Sequence, residues 1–376
     1  MILRSKKIVF LTGTRADFGK LKPLMLAVQS HPNYELLIFA TGMHLDVNYG
    51  LTVNEIYKSG FKKVYEYKNY TSTAHMDRTL SSTIQGFSKY IDRNAPDMIV
   101  VHGDRGEALA GAIVGSFNNI LVAHIEGGEI SGTIDELIRH SVSKMSHLHF
   151  VANAEAKRRL IQMGELEDSI RIIGSPDLDL MNPNNLPSLN TVKTYYNIPF
   201  NDYAIVMFHP VTTELNLLKS QIKNIVDALI QSNRQYVVLY PNNDAGTDLI
   251  INEFKRFENN SNFKIFPSIR FEYFLKLLKS STFIIGNSSA GIREAPFYGV
   301  PTINVGSRQN NRSKANSIVN VESDVDSILN QIFEVTQLTF EKCNEFGDGN
   351  SAALFIEALM DYKTWEVDCQ KQFQDI

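Results

Sequence analysis

The chain has 376 residues, of which 43% are hydrophobic and 21% charged, and these proportions are ordinary for a globular protein. Its 37 Lys and Arg residues against 41 Asp and Glu residues give a net charge of −4, which argues against nucleic-acid binding as the main function. At about 150 residues per domain, the length predicts two domains and leaves room for a ligand site in the cleft between them.

The two cysteines, Cys343 and Cys369, lack the spacing of metal ligands, so we expect neither a disulfide framework nor a zinc site. The first residues lack the apolar core of a signal peptide, and no apolar run approaches the roughly 20 residues of a membrane span. These features predict a soluble, cytoplasmic protein.

The first half of the chain alternates short apolar runs with helix-like stretches. The runs predict strands at residues 8–11, 36–40, 97–101, 121–125 and 149–152. A helix is predicted to follow the first run, and a helix of small residues is predicted at 108–115. Continuous apolar strands that alternate with helices are typical of a parallel sheet covered on both faces.

A stretch rich in Asn, Pro and Ser, from Pro176 to Pro199, predicts a surface linker. The alternation then restarts, with strands predicted at 204–208, 236–240, 264–266, 283–285 and 302–305, and helices at 221–231, 249–257, 271–279 and 352–362. We therefore predict an α/β protein with two Rossmann-like domains, at residues 1–180 and 200–350, and a helical tail at 351–376.

Ligands of open α/β sheets bind beyond the carboxyl ends of the strands, so the loops after the strands are the candidate sites. The first such loop, Thr12–Lys20, is a glycine-containing turn that opens a helix and carries Arg15. Free backbone N–H groups at a helix start, with a nearby cation, favour phosphate binding. The alternative is an ordinary helix cap, with Arg15 as a surface charge.

Carboxylates mark the next two loops. Asp104 follows the strand at 97–101 as a candidate general acid or base, although it could instead cap a helix with Arg105 as its partner. Glu126 ends the strand at 121–125, and Asp135 lies four residues before Arg139, with which it could pair on a helix. Three carboxylates near neighbouring strand ends suit proton removal and return at a sugar carbon.

Five histidines fall in the same region, at positions 102, 124, 140, 147 and 149. Their spacing matches no zinc ligand set, so we favour buried hydrogen-bond partners over a metal site. In the second half, His209 follows a strand, and the run from Gly286 to Pro296 combines small hydroxyl residues with glycine. That run predicts a second diphosphate site, with Glu294 placed to accept from a ribose.

Five motifs together resemble the UDP-N-acetylglucosamine 2-epimerase family, and most closely its bacterial hydrolysing branch of sialic acid synthesis. They are Thr12–Asp17, His102–Arg105, His124–Gly128, Gly174–Asp177 and Asn287–Pro296. The resemblance implies a GT-B architecture with the active site in the interdomain cleft, a homodimer or homotetramer, and no cofactor. Asp135 stands where non-hydrolysing members more often have glutamate, which favours the hydrolysing branch.

By the same resemblance, the implied catalytic residues are Asp104, Glu126, Asp135, His209 and Arg139. The implied contacts to the UDP-sugar are Arg15, Ala16, Gly19, Arg105, His209, Asn242, Phe271, Ser288, Ser289, Gly291, Glu294 and Arg308. The implied reaction converts UDP-N-acetylglucosamine and water to N-acetylmannosamine and UDP, through elimination to 2-acetamidoglucal and rehydration. The residues do not show which carboxylate acts in which step.

Three alternatives remain open at this point. A glycosyltransferase of the same fold would share the diphosphate site but would have no need for the three clustered carboxylates. A hydrolysing epimerase for a GDP-linked or a 2,4-diacetamido sugar would keep the carboxylates and change the substrate contacts. A catalytically silent nucleotide-sugar sensor is disfavoured by the intact carboxylate set.

Overall fold

A computed structural model describes residues 4–47, 50–69, 75–130, 134–181, 186–211, 214–241, 246–309, 312–313, 315–372 and 374–375. The chain divides into two compact units. Unit 1 comprises Met1–Leu180 together with Phe346–Ile376, and unit 2 comprises Met181–Glu345. Each unit is built on its own parallel sheet with helices, as the alternation of apolar runs predicts.

Within the described ranges, seven parallel strands form the sheet of unit 1, in the order β3-β2-β1-β4-β5-β6-β7. They are β1 (Lys6–Thr12), β2 (Tyr34–Ala40), β3 (Val64–Glu66), β4 (Met98–His102), β5 (Leu121–Ile125), β6 (Leu148–Val151) and β7 (Ile170–Ile172). The helices of this unit are α1 (Arg15–Ser30), α2 (Val53–Lys58), α3 (Met76–Asn94), α4 (Gly106–Phe117), α5 (Ile134–Met145), α6 (Ala154–Gln162) and α13 (Ser351–Met360).

Strand β1 explains why the central strands are continuous apolar runs. Ile8 and Phe10 lie in the core cluster on one face of the sheet, and Val9 and Leu11 lie in the cluster on the other face. Alternate residues of a strand point to opposite faces, so both sets must be apolar when helices cover both faces. The C-terminal helix α13 completes the first cluster, because Phe355 packs edge-on against Phe10.

Unit 2 repeats the arrangement with six described parallel strands, in the order β10-β9-β8-β11-β12-β13. They are β8 (Ala204–Met207), β9 (Tyr236–Leu239), β10 (Phe263–Phe266), β11 (Ile284–Gly286), β12 (Thr302–Val305) and β13 (Ile318–Val321). Its helices are α7 (Leu189–Tyr196), α8 (Leu215–Gln231), α9 (Thr247–Phe254), α10 (Phe271–Lys279), α11 (Glu294–Tyr298) and α12 (Val325–Val335).

The direction of strand addition reverses between β1 and β4 in unit 1, and between β8 and β11 in unit 2. Such a reversal opens a crevice beyond the strand ends, where ligands of α/β proteins bind. The loops and following helices after these four strands carry ten of the sixteen site residues proposed from the sequence, and the others follow β5, β9, β10 and β12. The candidate site residues thus gather at and beside the strand ends where the order reverses.

The sequence-based assignment of elements was incomplete. It missed the edge strands β3, β7 and β13, which are short and partly exposed and so lack a continuous apolar run. The prediction of a surface linker from Pro176 to Pro199 was wrong in part, because this stretch contains a 3₁₀ turn at Pro176–Met181 and helix α7. Leu178 and Met181 in that turn are buried.

Candidate active site

The loop after β1 is organised by Asp17, which is buried in the first turn of α1. Its carboxylate accepts hydrogen bonds from the backbone N–H groups of Gly13 and Thr14, at 2.9 and 3.0 Å, and from the Thr12 hydroxyl at 2.6 Å. Thr14 and Asp17 form a reciprocal capping box. The expectation that this turn presents free N–H groups is therefore wrong for Gly13 and Thr14, which are already paired.

The remaining predicted contacts of this loop lie on α1. Arg15 and Ala16 begin the helix and are exposed, so both are accessible to a ligand. Gly19 follows one turn later, and no described atom lies within 4 Å of the place where its Cβ would be. The sequence analysis did not single out Lys20. Its ammonium group contacts Glu126, after β5, and Asp177, after β7.

Asp104, in the loop after β4, forms an ion pair with Arg139 of α5. Arg139 is 5% exposed and also binds the Glu129 carboxylate at 3.0 Å and the backbone carbonyl of Glu126 at 3.3 Å. Burial alone would lower the pKa of Arg139, but the charges of Glu129 and Asp104 outweigh it and raise the pKa. Arg139 is therefore a permanent cation that joins the loops after β4 and β5.

These contacts argue against the alternative that Asp104 caps a helix with Arg105 as its partner. The cap position of α4 is occupied by Arg105, without a side-chain capping bond, so Asp104 is not the helix cap. Nor is Arg105 its hydrogen-bond partner, because the Arg105 guanidinium donates to Glu107 at 3.4 Å. The side chain of Arg105 is 45% exposed. Asp104 is thus placed as a functional carboxylate would be, at a strand end beside a buried cation.

Glu126, directly after β5, is the most enclosed of the three predicted carboxylates, with 3% exposure. Its backbone φ of +60° is in the left-handed region, which is uncommon for a residue other than glycine. The carboxylate contacts Lys20 Nζ at 2.9 and 3.1 Å, His102 Nε2 at 3.1 Å and the hydroxyl of Ser175. Three donors from different segments converge on one carboxylate.

Asp135 lies in the first turn of α5 and is exposed, in contrast to Glu126. The predicted helix is present, so Asp135 and Arg139 share a face, as the spacing of four residues requires. A carboxylate in the first turn of a helix is stabilised by the helix dipole and remains accessible to solvent. Asp135 is therefore a solvent-exposed carboxylate at the start of α5.

The five histidines serve different partners. His102 contacts Glu126, whereas His124 is fully buried between the Gly103 carbonyl and the Ser143 hydroxyl. Burial holds the pKa of His124 well below its usual value, so this ring is neutral. His147 contacts the carbonyl of Cys369, His149 contacts Glu165, and His140 lies 3.8 Å from Glu136. Among the described residues, no cluster of His, Cys, Asp and Glu side chains is arranged to bind a metal.

In unit 2, Asn287 connects three loops beyond the strand ends. The backbone N–H of His209 donates to the Asn287 side-chain oxygen at 2.6 Å, and the Asn287 amide donates back to the His209 carbonyl at 2.8 Å. The Asn287 carbonyl accepts from Arg308 at 2.9 Å and from Gln309 at 3.0 Å. His209 and Arg308 are therefore fixed side by side at the point where the strand order reverses.

The environment of His209 determines its charge. The residue is 5% exposed, and burial together with the charge of Arg308 lowers its pKa to about 3. The imidazole is thus neutral at physiological pH in the free protein. The imidazole can donate a hydrogen bond to a phosphate oxygen, but the positive charge beside it comes from Arg308.

The serine and glycine run after β11 differs from its prediction. Ser288 caps a 3₁₀ turn at Ser289–Gly291 and accepts from the Ala290 N–H at 3.3 Å, so the run does not open a regular helix. The following helix α11 has five residues and starts at Glu294, which is 8% exposed. Gly291 is needed for packing, because a Cβ there would lie 2.6 Å from a methyl group of Thr302.

The remaining predicted contacts fall as follows. Ser289 is exposed in the 3₁₀ turn, and Phe271 is the half-buried first residue of α10. Asn242 lies outside the described residues.

No helix in the described part of the chain is long and apolar enough to cross a membrane.

The sequence analysis missed several residues at these strand ends, which are Lys20, Ser175, Asp177, Glu129 and Asn287. Ser175 and Asp177 belong to a motif that carries the family resemblance, but it gave them no role. Asn287 opens the motif Asn287–Pro296 and lies directly after a strand of the predicted second sheet, but neither feature gave it a role. Lys20 lies 106 residues from Glu126 and 155 residues from Ser175 in the sequence, and only the fold brings them together.

Residues 26–360 match the model of the protein family Epimerase_2, UDP-N-acetylglucosamine 2-epimerase. A relative from Neisseria meningitidis serogroup B named UDP-N-acetylglucosamine 2-epimerase is 48% identical over 375 residues, 99% of each chain. The polysialic acid biosynthesis protein P7 of Escherichia coli is 34% identical over 333 residues, 87% of this chain and 85% of that protein.

Solved structures show the same fold. The UDP-GlcNAc 2-epimerase from Neisseria meningitidis bound to UDP-GlcNAc aligns with a TM-score of 0.80, at 18% identity, over 94% of this chain and 99% of that one. A Glycyrrhiza uralensis protein, UGT73P12, complexed with glycyrrhetinic acid 3-O-monoglucuronide, aligns with a TM-score of 0.65 over 96% of each chain, at 10% identity. The fold is therefore α/β with two Rossmann-like units of the GT-B type. With a profile match over most of its length and a 48% identical relative, the chain belongs to the UDP-N-acetylglucosamine 2-epimerase family.

Proposed function

We propose that the protein is a hydrolysing UDP-N-acetylglucosamine 2-epimerase that converts UDP-N-acetylglucosamine and water to N-acetylmannosamine and UDP. The observation that carries this proposal is the pair of carboxylates after the adjacent strands β4 and β5. Asp104 forms an ion pair with Arg139, which is buried, and Glu126 forms an ion pair with Lys20, which is half-buried. Proton removal and proton return at one carbon need two such groups in one place.

The chemistry explains why the nucleotide must leave. The hydrogen on sugar carbon 2 has no neighbouring carbonyl and is not acidic, so direct removal would be too slow. Cleavage of the anomeric C–O bond first releases UDP with the bonding electrons and leaves an oxocarbenium-like carbon 1. A carboxylate then takes the carbon 2 proton, which gives 2-acetamidoglucal. Water adds its hydroxyl to carbon 1, and a second acid protonates carbon 2 from the opposite face.

The proposed roles follow from where each residue lies. Asp104, Glu126 and Asp135 are the candidate acid and base groups, and Arg139 forms an ion pair with Asp104. The leaving diphosphate would be stabilised by the charges of Arg308 and Arg15 and by a hydrogen bond from His209. Because His209 is neutral in the free protein, it serves as a donor that becomes cationic only when the diphosphate raises its pKa.

Nucleotide recognition is proposed for unit 2. Ser289 and Arg308 are at least partly exposed near the strand ends, and Glu294, at the start of α11, is the proposed acceptor of hydrogen bonds from a ribose. Asn242 and Phe271 complete the predicted contacts from the resemblance. We also propose a homodimer or homotetramer in the cytoplasm, in keeping with the two free cysteines.

Two relatives favour a specific alternative substrate. A Legionella pneumophila protein named UDP-N,N'-diacetylbacillosamine 2-epimerase (hydrolyzing) is 34% identical over 355 residues, and a Campylobacter jejuni protein with a GDP/UDP version of that name is 33% identical over 339 residues. The 48% identity to the Neisseria UDP-N-acetylglucosamine 2-epimerase supports the mono-acetamido sugar instead.

A substrate panel tests the proposal. The purified protein is incubated separately with UDP-N-acetylglucosamine, UDP-N,N'-diacetylbacillosamine and its GDP counterpart, and products are followed by phosphorus and proton NMR. We expect free UDP and N-acetylmannosamine from the first substrate at the highest kcat/KM. Preferred turnover of a diacetamido sugar would move the assignment, and transfer of sugar to an added acceptor without epimerisation would contradict it.

A further inference from the structure

Lys20 is shared between two buried carboxylates. Its ammonium group lies 2.9 Å from Glu126 and 3.1 Å from Asp177 Oδ2, and both acids are about 3% exposed. No described residue donates a hydrogen bond to the second oxygen of Asp177, Oδ1, although it is buried. A buried carboxylate normally satisfies both oxygens, so Asp177 depends on Lys20 to an unusual degree. The charge of one ammonium is divided between these two acids.

The loop that carries Asp177 is fixed from its other side by the C-terminal part of unit 1. The Ser175 N–H donates to the Phe346 carbonyl at 2.6 Å, and Asp179 accepts from the first two N–H groups of α13 at 2.7 Å each. Gly174 packs directly on Gly347, whose Cβ would lie 2.7 Å from the Gly174 Cα. The backbone position of Asp177 is therefore set without any help from Lys20.

We propose that Asp177 is a positioning residue for Glu126, which holds Lys20 in place and takes up part of its positive charge. The inference rests on the proposed function, in which Glu126 exchanges a proton with the substrate. It assigns a purpose to the motif Gly174–Asp177 and to the C-terminal segment that supports this loop. The contact of Asp177 is with Lys20, not with the Glu126 carboxylate.

The effect of Lys20 on Glu126 depends on whether Asp177 shares the positive charge of Lys20. A single counter-ion at hydrogen-bond distance lowers the pKa of a carboxyl group by about one to three units. Without Asp177, the charge of Lys20 would act more strongly on Glu126, and Glu126 would be a weaker proton acceptor. Titratable groups that also face Glu126 include His102 from β4 and Arg139 from α5, and Arg139 binds the Glu126 backbone carbonyl together with Asp104 and Glu129. Asp177 is the carboxylate with which Glu126 shares Lys20.

A double-mutant cycle tests the coupling. In Asp177→Asn, we expect the kcat for UDP-N-acetylglucosamine to fall roughly tenfold with little change in KM, and the ionisation of Glu126 in the pH profile to move about one unit lower. In a Lys20→Met background, the same substitution should change kcat by less than it does in the wild type, because the contribution through Lys20 is gone and only the direct repulsion between the two carboxylates remains. Equal effects in both backgrounds would overturn the proposal.

Asp179→Asn is the matched control, because it changes a carboxylate two residues away that contacts α13 and not Lys20. This variant should lower the melting temperature by a few degrees, as the loss of a helix cap does, without moving the pH profile. A shift of the pH profile of equal size in Asp179→Asn would show that loop integrity, and not Asp177, sets Glu126.

A titration without substrate separates this inference from the proposed function. The Glu126 side-chain carbon is followed by NMR in protein labelled with ¹³C-glutamate, and its signal is assigned by its loss in Glu126→Gln. The midpoint should be lower in Asp177→Asn than in the wild type, and unchanged in Asp179→Asn. An unchanged midpoint in Asp177→Asn refutes the role of Asp177 whatever the enzyme turns over. Absence of wild-type epimerisation with the expected midpoint shift refutes the function alone.

Discussion

Replacing Arg139 with methionine should destabilise unit 1 more than any surface change. The guanidinium is buried and binds Asp104 and Glu129, whose side chains are 26% and 7% exposed. Removing one partner of a buried ion pair costs about 3–5 kcal/mol, because the remaining charge has lost its counter-ion. The lower figure applies here, since Asp104 is partly hydrated. For a unit of this size, about 3 kcal/mol lowers the melting temperature by roughly 6–12 °C.

Calorimetry of the wild type and Arg139→Met at neutral pH measures the loss of stability. Arg158→Met is the matched control in the same unit, because Arg158 pairs with Glu155 on the exposed face of α6 and should change the stability by less than about 1 kcal/mol. A melting temperature of Arg139→Met within about 2 °C of the wild type would refute the buried ion-pair account of Arg139.

Three further predictions concern single residues. UDP binding at pH 5 should be accompanied by proton uptake, because the diphosphate raises the low pKa of His209, and calorimetry in two buffers of different ionisation heat should find no uptake in His209→Asn. Lys371→Met should shift acid unfolding of unit 1 to higher pH. Burial alone would raise the pKa of Glu165, but its contacts with His149 and Lys371 lower this pKa to about 2. The ionised Glu165 therefore stabilises the folded unit until the pH falls to strong acid, and without Lys371 this stabilisation is lost at a higher pH. Gly286→Ala should abolish soluble expression or UDP binding, since its φ is +136° and a Cβ would lie 2.0 Å from the Met207 carbonyl oxygen; a stable Gly286→Ala protein that binds UDP normally would contradict this.

The central strands and the carboxylates that follow them could be predicted from the sequence. Strand β5 is apolar except for His124 and ends directly before Glu126, and β4 is followed within two residues by Asp104. In a parallel sheet the ends of such strands lie at one edge, so placing the two acids near each other requires only the fold class. The helix cap at Thr14 and Asp17 was also within reach, because the spacing is that of a capping box.

The partners of these acids could not be predicted, because they come from distant parts of the chain. Lys20 and Ser175 are separated by 155 residues, and Asp179 caps a helix that starts 172 residues later. No local pattern encodes such a pairing. The same applies to the C-terminal segment, where Lys371 binds the last carbonyls of α5 and the Glu165 carboxylate. That contact anchors the helix that carries Arg139.

Isotope incorporation during turnover tests the central claim most directly. The enzyme is incubated with UDP-N-acetylglucosamine in deuterated water, and the released sugar is examined by proton NMR and mass spectrometry. The account predicts N-acetylmannosamine with one deuterium at carbon 2, together with free UDP, and severe loss of turnover in Asp104→Asn, Glu126→Gln and Asp135→Asn with UDP binding retained. Release of N-acetylglucosamine, or of N-acetylmannosamine that keeps its original hydrogen at carbon 2, would contradict proton exchange by these carboxylates.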